Sequence, residues 1–275
     1  MELSSVAVRS LAALLERHTG QQIVAGRQWR VETALKPLMR EEGIATLDRL
    51  VGLLAEDAGG RLATRTVDAL LNHETSFFRD HAAFRHLTGE ALSHIAQRRA
   101  PIRRLRLWSA GCATGQETYS LALRFAAEPE RWAGWAIDIL GTDVSRVATD
   151  RARTGVYSQL EIQRGLPIGD MMAHFTPDGD DWRASPQLRS RVHFMQHHLL
   201  DPPPSTRFDI ILCRNVLLYF DAETSRRLFA RLATAIAPDG MLMLGVGETV
   251  IGLTDAFAAD PEFRGLYRPT AHLRG

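Results

Sequence analysis

The chain has 275 residues, 45% of them hydrophobic and 24% charged, enough apolar content for one large domain or two modest ones. Lys plus Arg number 33 against 32 Asp plus Glu, a net charge of +1, so no global field recruits nucleic acid or an anionic membrane surface. No apolar run reaches the ~18 residues of a membrane span, "MELSSVAVRS" lacks a secretory stretch, and Cys112 and Cys213 form neither a disulfide framework nor a metal spacing, so a cytoplasmic protein is expected.

Residues 1–70 place apolar side chains at helical spacing in "VRSLAALLERH", "VETALKPLMREEG" and "ATLDRLVGLLAED", broken by Gly20, Gly43 and Gly59-Gly60. An all-helical N-terminal domain is predicted. Its acids and bases balance, although Arg27, Arg30, Lys36 and Arg40 share one candidate helix. "NHETSFFRDHAAFRHLTGEALSHIAQRR" predicts a helix that starts at Thr75 and stops before Pro101. The basic cluster "RRAPIRRLR" at 98–106 reads as a solvated linker.

The pattern then switches to short apolar runs bounded by turn residues: "LRLWSAG", "AIDILGTD", "VHFMQHHLL", "FDIILCRN" and "GMLMLGVGE". Helical stretches follow the first, second and fourth, which predicts a doubly wound parallel sheet over 71–275 with helices on both faces. Residues 155–195 fit that alternation poorly. Their "TPDGDDW" turn predicts a small antiparallel β subdomain inserted in the fold.

In such a sheet the ligand lies beyond the C-terminal strand ends, which here hold Gly111 to Glu117, Asp143, His197 with His198, and Asn215. The first loop has two glycines, Gly111 and Gly115, rather than the three of a dinucleotide fingerprint, and puts Glu117 in the first helical turn. A carboxylate there repels a diphosphate. Asp143 accepts the ribose hydroxyls of a nucleoside or caps the helix that begins at "TDVS"; both readings stand. Together these residues suit a nucleoside carrying a cationic, phosphate-free group, as S-adenosylmethionine does. No metal site is expected: His193, His197, His198 and Asp201 straddle a strand and a loop, and "DGDD" at 178–181 lacks a calcium loop's downstream Glu.

"NHETSFFRD" at 72–80, "GCATGQETYSLAL" at 111–123, "LGTDVS" at 140–145, "FDIILCRNVLLYFD" at 208–221 and "LGVGET" at 244–249 occur in the order seen in the chemotaxis-receptor glutamate O-methyltransferases, and the chain resembles this CheR family over essentially its whole length. The resemblance implies a Rossmann-like class I methyltransferase sheet with a β subdomain, preceded by a receptor-facing helical domain. It implies that S-adenosylmethionine is held by His73, Thr75, Arg79, Gly111, Ala113, Glu117, Asp143, His198, Leu199, Asn215 and Val216, and leaves as S-adenosylhomocysteine. Arg79 and Tyr219 would face a glutamate of the cytoplasmic chemoreceptor helices, which becomes a γ-methyl ester.

A glutamate is already ionised at neutral pH, so that reaction needs alignment more than a base. Arg79 fixes one carboxylate oxygen in this reading; the alternative is a surface ion pair with Asp80 or Glu74. Phe77 and Phe78 read as core packing. His73 and His198 stand where the family has asparagine, and Ala113, Thr118 and "GVGE" also depart from its pattern. The short "TPDGDDW" hairpin predicts an enzyme that does not dock a receptor pentapeptide tether, and a monomer is expected. Two alternatives remain: a non-catalytic sensor or adaptor of this fold, and a methyltransferase for another protein or a small molecule.

Overall fold

A computed structural model of the chain describes residues 5–23, 29–57, 59–205 and 207–270. Contacts divide it into two units, the described residues of 1–72 with 218–224 and those of 73–217 with 225–275. Sequence order hides the placement of 218–224 with the first unit.

In the first unit the helical spacing produces α1 (Ser5–Thr19), α2 (Trp29–Glu41), α3 (Leu47–Glu56) and α4 (Arg61–Leu70). Their apolar stripes meet in one core around the fully buried Leu11, Leu35, Leu50 and Ala63. Thr46 caps α3 by accepting the Arg49 N–H, and Arg65 ties α4 to Glu41 and Glu42. Arg30, Lys36 and Arg40 lie on α2, whereas Arg27 is outside the described residues.

The second unit opens with a correction. No helix starts at Thr75: residues 73–80 are irregular, and α5 (His81–His86) begins only after them, running through a π-helical turn (Leu87–Ala91) into α6 (Leu92–Arg99). Phe78 and Asp80 adopt positive φ, 49° and 55°, which a right-handed helix cannot contain. Tertiary bonds hold them there. Phe77 packs edge-on against the Tyr157 and Phe175 rings, Phe78 against Phe84, and the Phe78 N–H donates to Ser120 Oγ at 2.9 Å. Both phenylalanines are core residues.

The remaining elements are β1 (Arg104–Ala110), α7 (Gln116–Ala126), β2 (Ala136–Asp143), α8 (Arg146–Thr154), β3 (Val156–Ser158), α9 (Gln159–Gln163), α10 (Ile168–His174), β4 (Phe175–Asp178), β5 (Asp181–Ala184), α11 (Pro186–Arg189), β6 (Val192–Gln196), β7 (Phe208–Cys213), α12 (Ala222–Ala235), β8 (Ile236–Leu244), β9 (Phe257–Ala259) and β10 (Leu266–Pro269). The main sheet runs β6-β2-β1-β7-β8-β10-β9, with the first five strands parallel and β10 antiparallel to both neighbours. Every residue of central β7 is buried, as a strand covered by helices on both faces requires. β9 and β10, three and four residues long, carry too little alternation to be read from sequence. β3, β5 and β4 form the separate antiparallel sheet, in which Gly179 and Asp180 alone connect β4 to β5.

The basic cluster before β1 is not merely solvated. The Arg99 side chain, 15% exposed, holds Asp209 at 2.6 Å and Asp239 at 2.6 Å, and the Arg106 N–H adds a 2.8 Å bond to Asp209. Among the described residues no helix is long and apolar enough to cross a membrane.

Candidate active site

The strand ends converge as the doubly wound sheet requires. Gly111 has φ +84°, and a Cβ there would lie 2.6 Å from Val216 Cγ2, so glycine lets the loop after β1 close against the loop after β7. The N–H groups of Gly111 and Cys112 both donate to the Thr142 carbonyl at 2.8 Å. Gly115, φ +94°, turns the chain into α7. Ala113, itself at φ +47°, donates its N–H to Asp143 Oδ2 at 2.9 Å.

Asp143 is the buried acid at the end of β2, and its Oδ1 accepts the Ser145 N–H at 3.0 Å. It does not cap α8. Ser145 does, accepting the Ala148 N–H at 3.1 Å, which removes the capping alternative. Two backbone bonds fix the orientation of the Asp143 carboxylate, as an acceptor for a vicinal diol requires.

Glu117 is not the bare carboxylate that the sequence suggests. Its Oε1 accepts from Ser109 Oγ at 2.7 Å and its Oε2 from Arg214 Nη1 at 2.8 Å. Arg214, 2% exposed, also holds Asp80 Oδ2 and the Arg79 carbonyl through Nη2, each at 2.8 Å. Sequence reasoning missed Arg214; the available signal was an arginine directly after six consecutive buried strand residues. Asp80, Glu117 and Asp143 still outnumber Arg79 and Arg214, so the acidic balance suits a cationic ligand.

Arg79 forms neither of the ion pairs considered for it. Its Nη1 donates to the Glu74 carbonyl oxygen at 3.1 Å, while the Glu74 carboxylate pairs with Arg164 and that of Asp80 with Arg214. Thr75 and His73 lie half-buried in the same irregular segment, and His73 Nε2 is a buried nitrogen with no hydrogen-bond partner among the described residues.

After β6, the His197 N–H donates to the Asp143 carbonyl at 2.9 Å, His198 Nδ1 accepts the Leu200 N–H at 3.2 Å, and Leu199 is buried. Burial holds the His197 imidazole below its usual pKa; Asp201 opposes this and His198 adds to it. After β7, Asn215 takes φ +59°, and a second missed residue secures it. One Glu248 carboxylate accepts the N–H groups of Asn215, Leu217 and Gly245 at 2.8, 2.8 and 2.7 Å. In sequence Glu248 lies within "LGVGET", a motif that carries the family resemblance and whose "GVGE" departs from the family pattern, and neither reading gives this carboxylate a partner.

Tyr219 belongs to the first unit. There its hydroxyl accepts from Asn72 Nδ2, Asn72 Oδ1 accepts from Arg30 at 3.0 Å, and the Tyr219 carbonyl accepts the Gln22 N–H at 2.7 Å. Cys112 and Cys213 are buried free thiols pushed well above their usual pKa by burial, with Asp143 and Glu117 adding to it at Cys112 and Glu248 and Glu117 at Cys213, so neither supplies a thiolate.

This donor set fits S-adenosylmethionine. The fixed Asp143 carboxylate suits the ribose, the acidic surplus at Glu117 suits the cationic end, and the orphaned His73 Nε2 is a polar atom that lacks a partner.

Residues 73–262 match the family described as CheR methyltransferase, SAM binding domain. The chain is 34% identical over 262 residues to Chemotaxis protein methyltransferase Cher2 of Pseudomonas putida, covering 94% of this chain and 95% of that one. It is 35% identical over 248 residues to Chemotaxis protein methyltransferase 1 of Pseudomonas aeruginosa, covering 88% and 90%. To the Chemotaxis protein methyltransferase of Vibrio parahaemolyticus it is 32% identical over 259 residues, with 93% of each covered. The chain therefore belongs to the CheR family, methyltransferases whose cofactor is S-adenosylmethionine.

Proposed function

We propose that the protein methylates the γ-carboxylate of specific glutamates in the cytoplasmic helices of chemoreceptors. The observation that carries this reading is Arg79, a half-buried guanidinium bonded to a backbone carbonyl, whose two neighbouring carboxylates are engaged by other arginines. Such a cation is suited to a carboxylate arriving from outside. The relatives' names, chemotaxis protein methyltransferases, support the same substrate class.

S-Adenosylmethionine supplies a methyl group activated by its sulfonium. Asp143 would orient the ribose and Glu117, with Ser109 and Arg214 fixing its two oxygens, would face the cationic end. Arg79 would hold one oxygen of the substrate glutamate so that the other attacks in line. No base is required, because a glutamate of ordinary pKa, about 4.3, is ionised at neutral pH. Tyr219 is the second substrate-facing group that the family resemblance supports, with Asn72 orienting its hydroxyl.

The two-residue connection between β4 and β5 supports an enzyme that engages the receptor helices without a pentapeptide tether, and we propose that it acts as a monomer in the cytoplasm. Arg30, Lys36 and Arg40 on α2 supply basic groups for an acidic receptor surface. The test is transfer of labelled methyl to a receptor fragment. Arg79→Ala abolishes transfer and keeps S-adenosylhomocysteine binding if the assignment is right; a protein that binds no cofactor is instead a non-catalytic adaptor.

A further inference from the structure

Arg79 is flanked by two residues of left-handed backbone, Phe78 at φ 49° and Asp80 at φ 55°, so no helix or strand fixes where it points. Three bonds confine this stretch. The Phe78 N–H is held by Ser120 Oγ on one side, and on the other Arg214 Nη2 grips both the Arg79 carbonyl and the Asp80 carboxylate. Through Nη1 the same guanidinium reaches Glu117 in the first turn of α7.

We infer that Arg214 is a positioning residue: its guanidinium fork locks the Arg79 segment to the cofactor helix, so that the cation meant for the substrate carboxylate is set in register with the methyl donor. The inference rests on the glutamate-methylation reading. Stability alone does not explain this side chain. A buried ion-pair cluster is often no more stabilising than a well-packed apolar replacement, and Arg214 Nε is a buried donor without a partner among the described residues. What only an arginine supplies is planar geometry, one edge to Glu117 and the other to the Arg79–Asp80 pair. A lysine keeps the charge and loses the fork.

The experiment compares wild type, Arg214→Lys and Asp80→Asn, measuring methyl transfer to a receptor fragment at saturating cofactor, S-adenosylhomocysteine affinity, and amide hydrogen exchange over residues 73–80. Arg214→Lys is expected to slow transfer tenfold or more, to weaken product affinity by clearly less than that because Ser109 still holds Glu117, and to speed exchange across 73–80 severalfold. Asp80→Asn, at a side chain 32% exposed that does not touch Glu117, slows transfer severalfold with product affinity unchanged, and guards against a folding defect in the lysine variant. Both variants transferring within twofold of wild type overturn the inference, as does a parallel loss of transfer and affinity. Exchange needs no substrate. If wild type fails to methylate the fragment, the function reading falls, and unchanged exchange in Arg214→Lys separately removes the positioning role.

Discussion

The Glu248 carboxylate accepts the backbone N–H of Asn215 at 2.8 Å and, through the same oxygen, that of Gly245 at 2.7 Å, so one side chain joins the loop after β7 to the loop after β8. Asn215 pays for its left-handed backbone out of these bonds. Glu248→Ala leaves three N–H groups without their acceptor. The variant should be less stable by about 2–4 kcal/mol in urea unfolding and should bind S-adenosylhomocysteine at least tenfold more weakly. Retained affinity would detach Asn215 from the cofactor site.

Gly111 is constrained twice, by φ +84° and by Val216 2.6 Å from where a Cβ would stand. Gly111→Ala therefore carries a backbone penalty of about 1–2 kcal/mol and pushes Val216 out of place. Calorimetric titration should show cofactor binding lost, with unfolding shifted by a few degrees. Serine or alanine tolerated at 111 with normal affinity would contradict the close approach.

How legible this site was depends on the range of the interaction that makes it. The glycine loop, Asp143 and the strands on either side are local features, and their residues occur in sequence as they occur in space. Asp80, Glu117 and Arg214 form one cluster from three distant segments, and nothing in the spacing of "CRN" says which carboxylates its arginine meets. The same reason defeated the helix predicted from Thr75. Its apolar pattern was genuine, but Phe77 and Phe78 serve a tertiary core rather than a helical stripe. Tyr219 was legible only by resemblance, and its bond to Asn72 spans 147 positions.

Arg99 and Asp209 form a part-buried pair at the opposite end of the sheet, with Asp209 5% exposed. Removing the guanidinium in Arg99→Ala takes away the partner of Asp209 Oδ1 and leaves the buried carboxylate with the Arg106 N–H on Oδ2. The expected loss is about 3–5 kcal/mol, read by denaturant midpoint at constant slope, with the methyl-transfer rate per folded molecule unaltered. Arg99 also holds the Asp239 carboxyl below its usual range, so that contribution is present above the ordinary carboxylate pKa and fades as pH falls through the lowered value.

His197 gives the fold a second pH dependence. Because burial lowers its pKa in the folded protein, the unfolded chain binds the proton better. Stability due to neutral His197 is complete above its ordinary value of 6.5 and declines as pH drops below it. In thermal melts between pH 7.5 and 5.5 this group should lower stability as pH falls, and His197→Gln should flatten the dependence. An identical slope in the variant would remove His197 as the source.

Tyr219→Phe tests the substrate-facing hydroxyl. The expectation is a fall of roughly tenfold in methyl transfer with S-adenosylhomocysteine affinity and melting temperature close to wild type. Loss of stability with unchanged transfer would make the Asn72 bond purely structural.

The most direct measurement is methyl transfer from labelled S-adenosylmethionine to a chemoreceptor cytoplasmic fragment, followed by mild alkali and mapping of the labelled residues, with Asp143→Ala alongside. The account predicts label on glutamates, released by base as methanol and absent with the Asp143 variant. Label that survives alkali, or a receptor fragment left unlabelled by a protein that binds its cofactor, would contradict it.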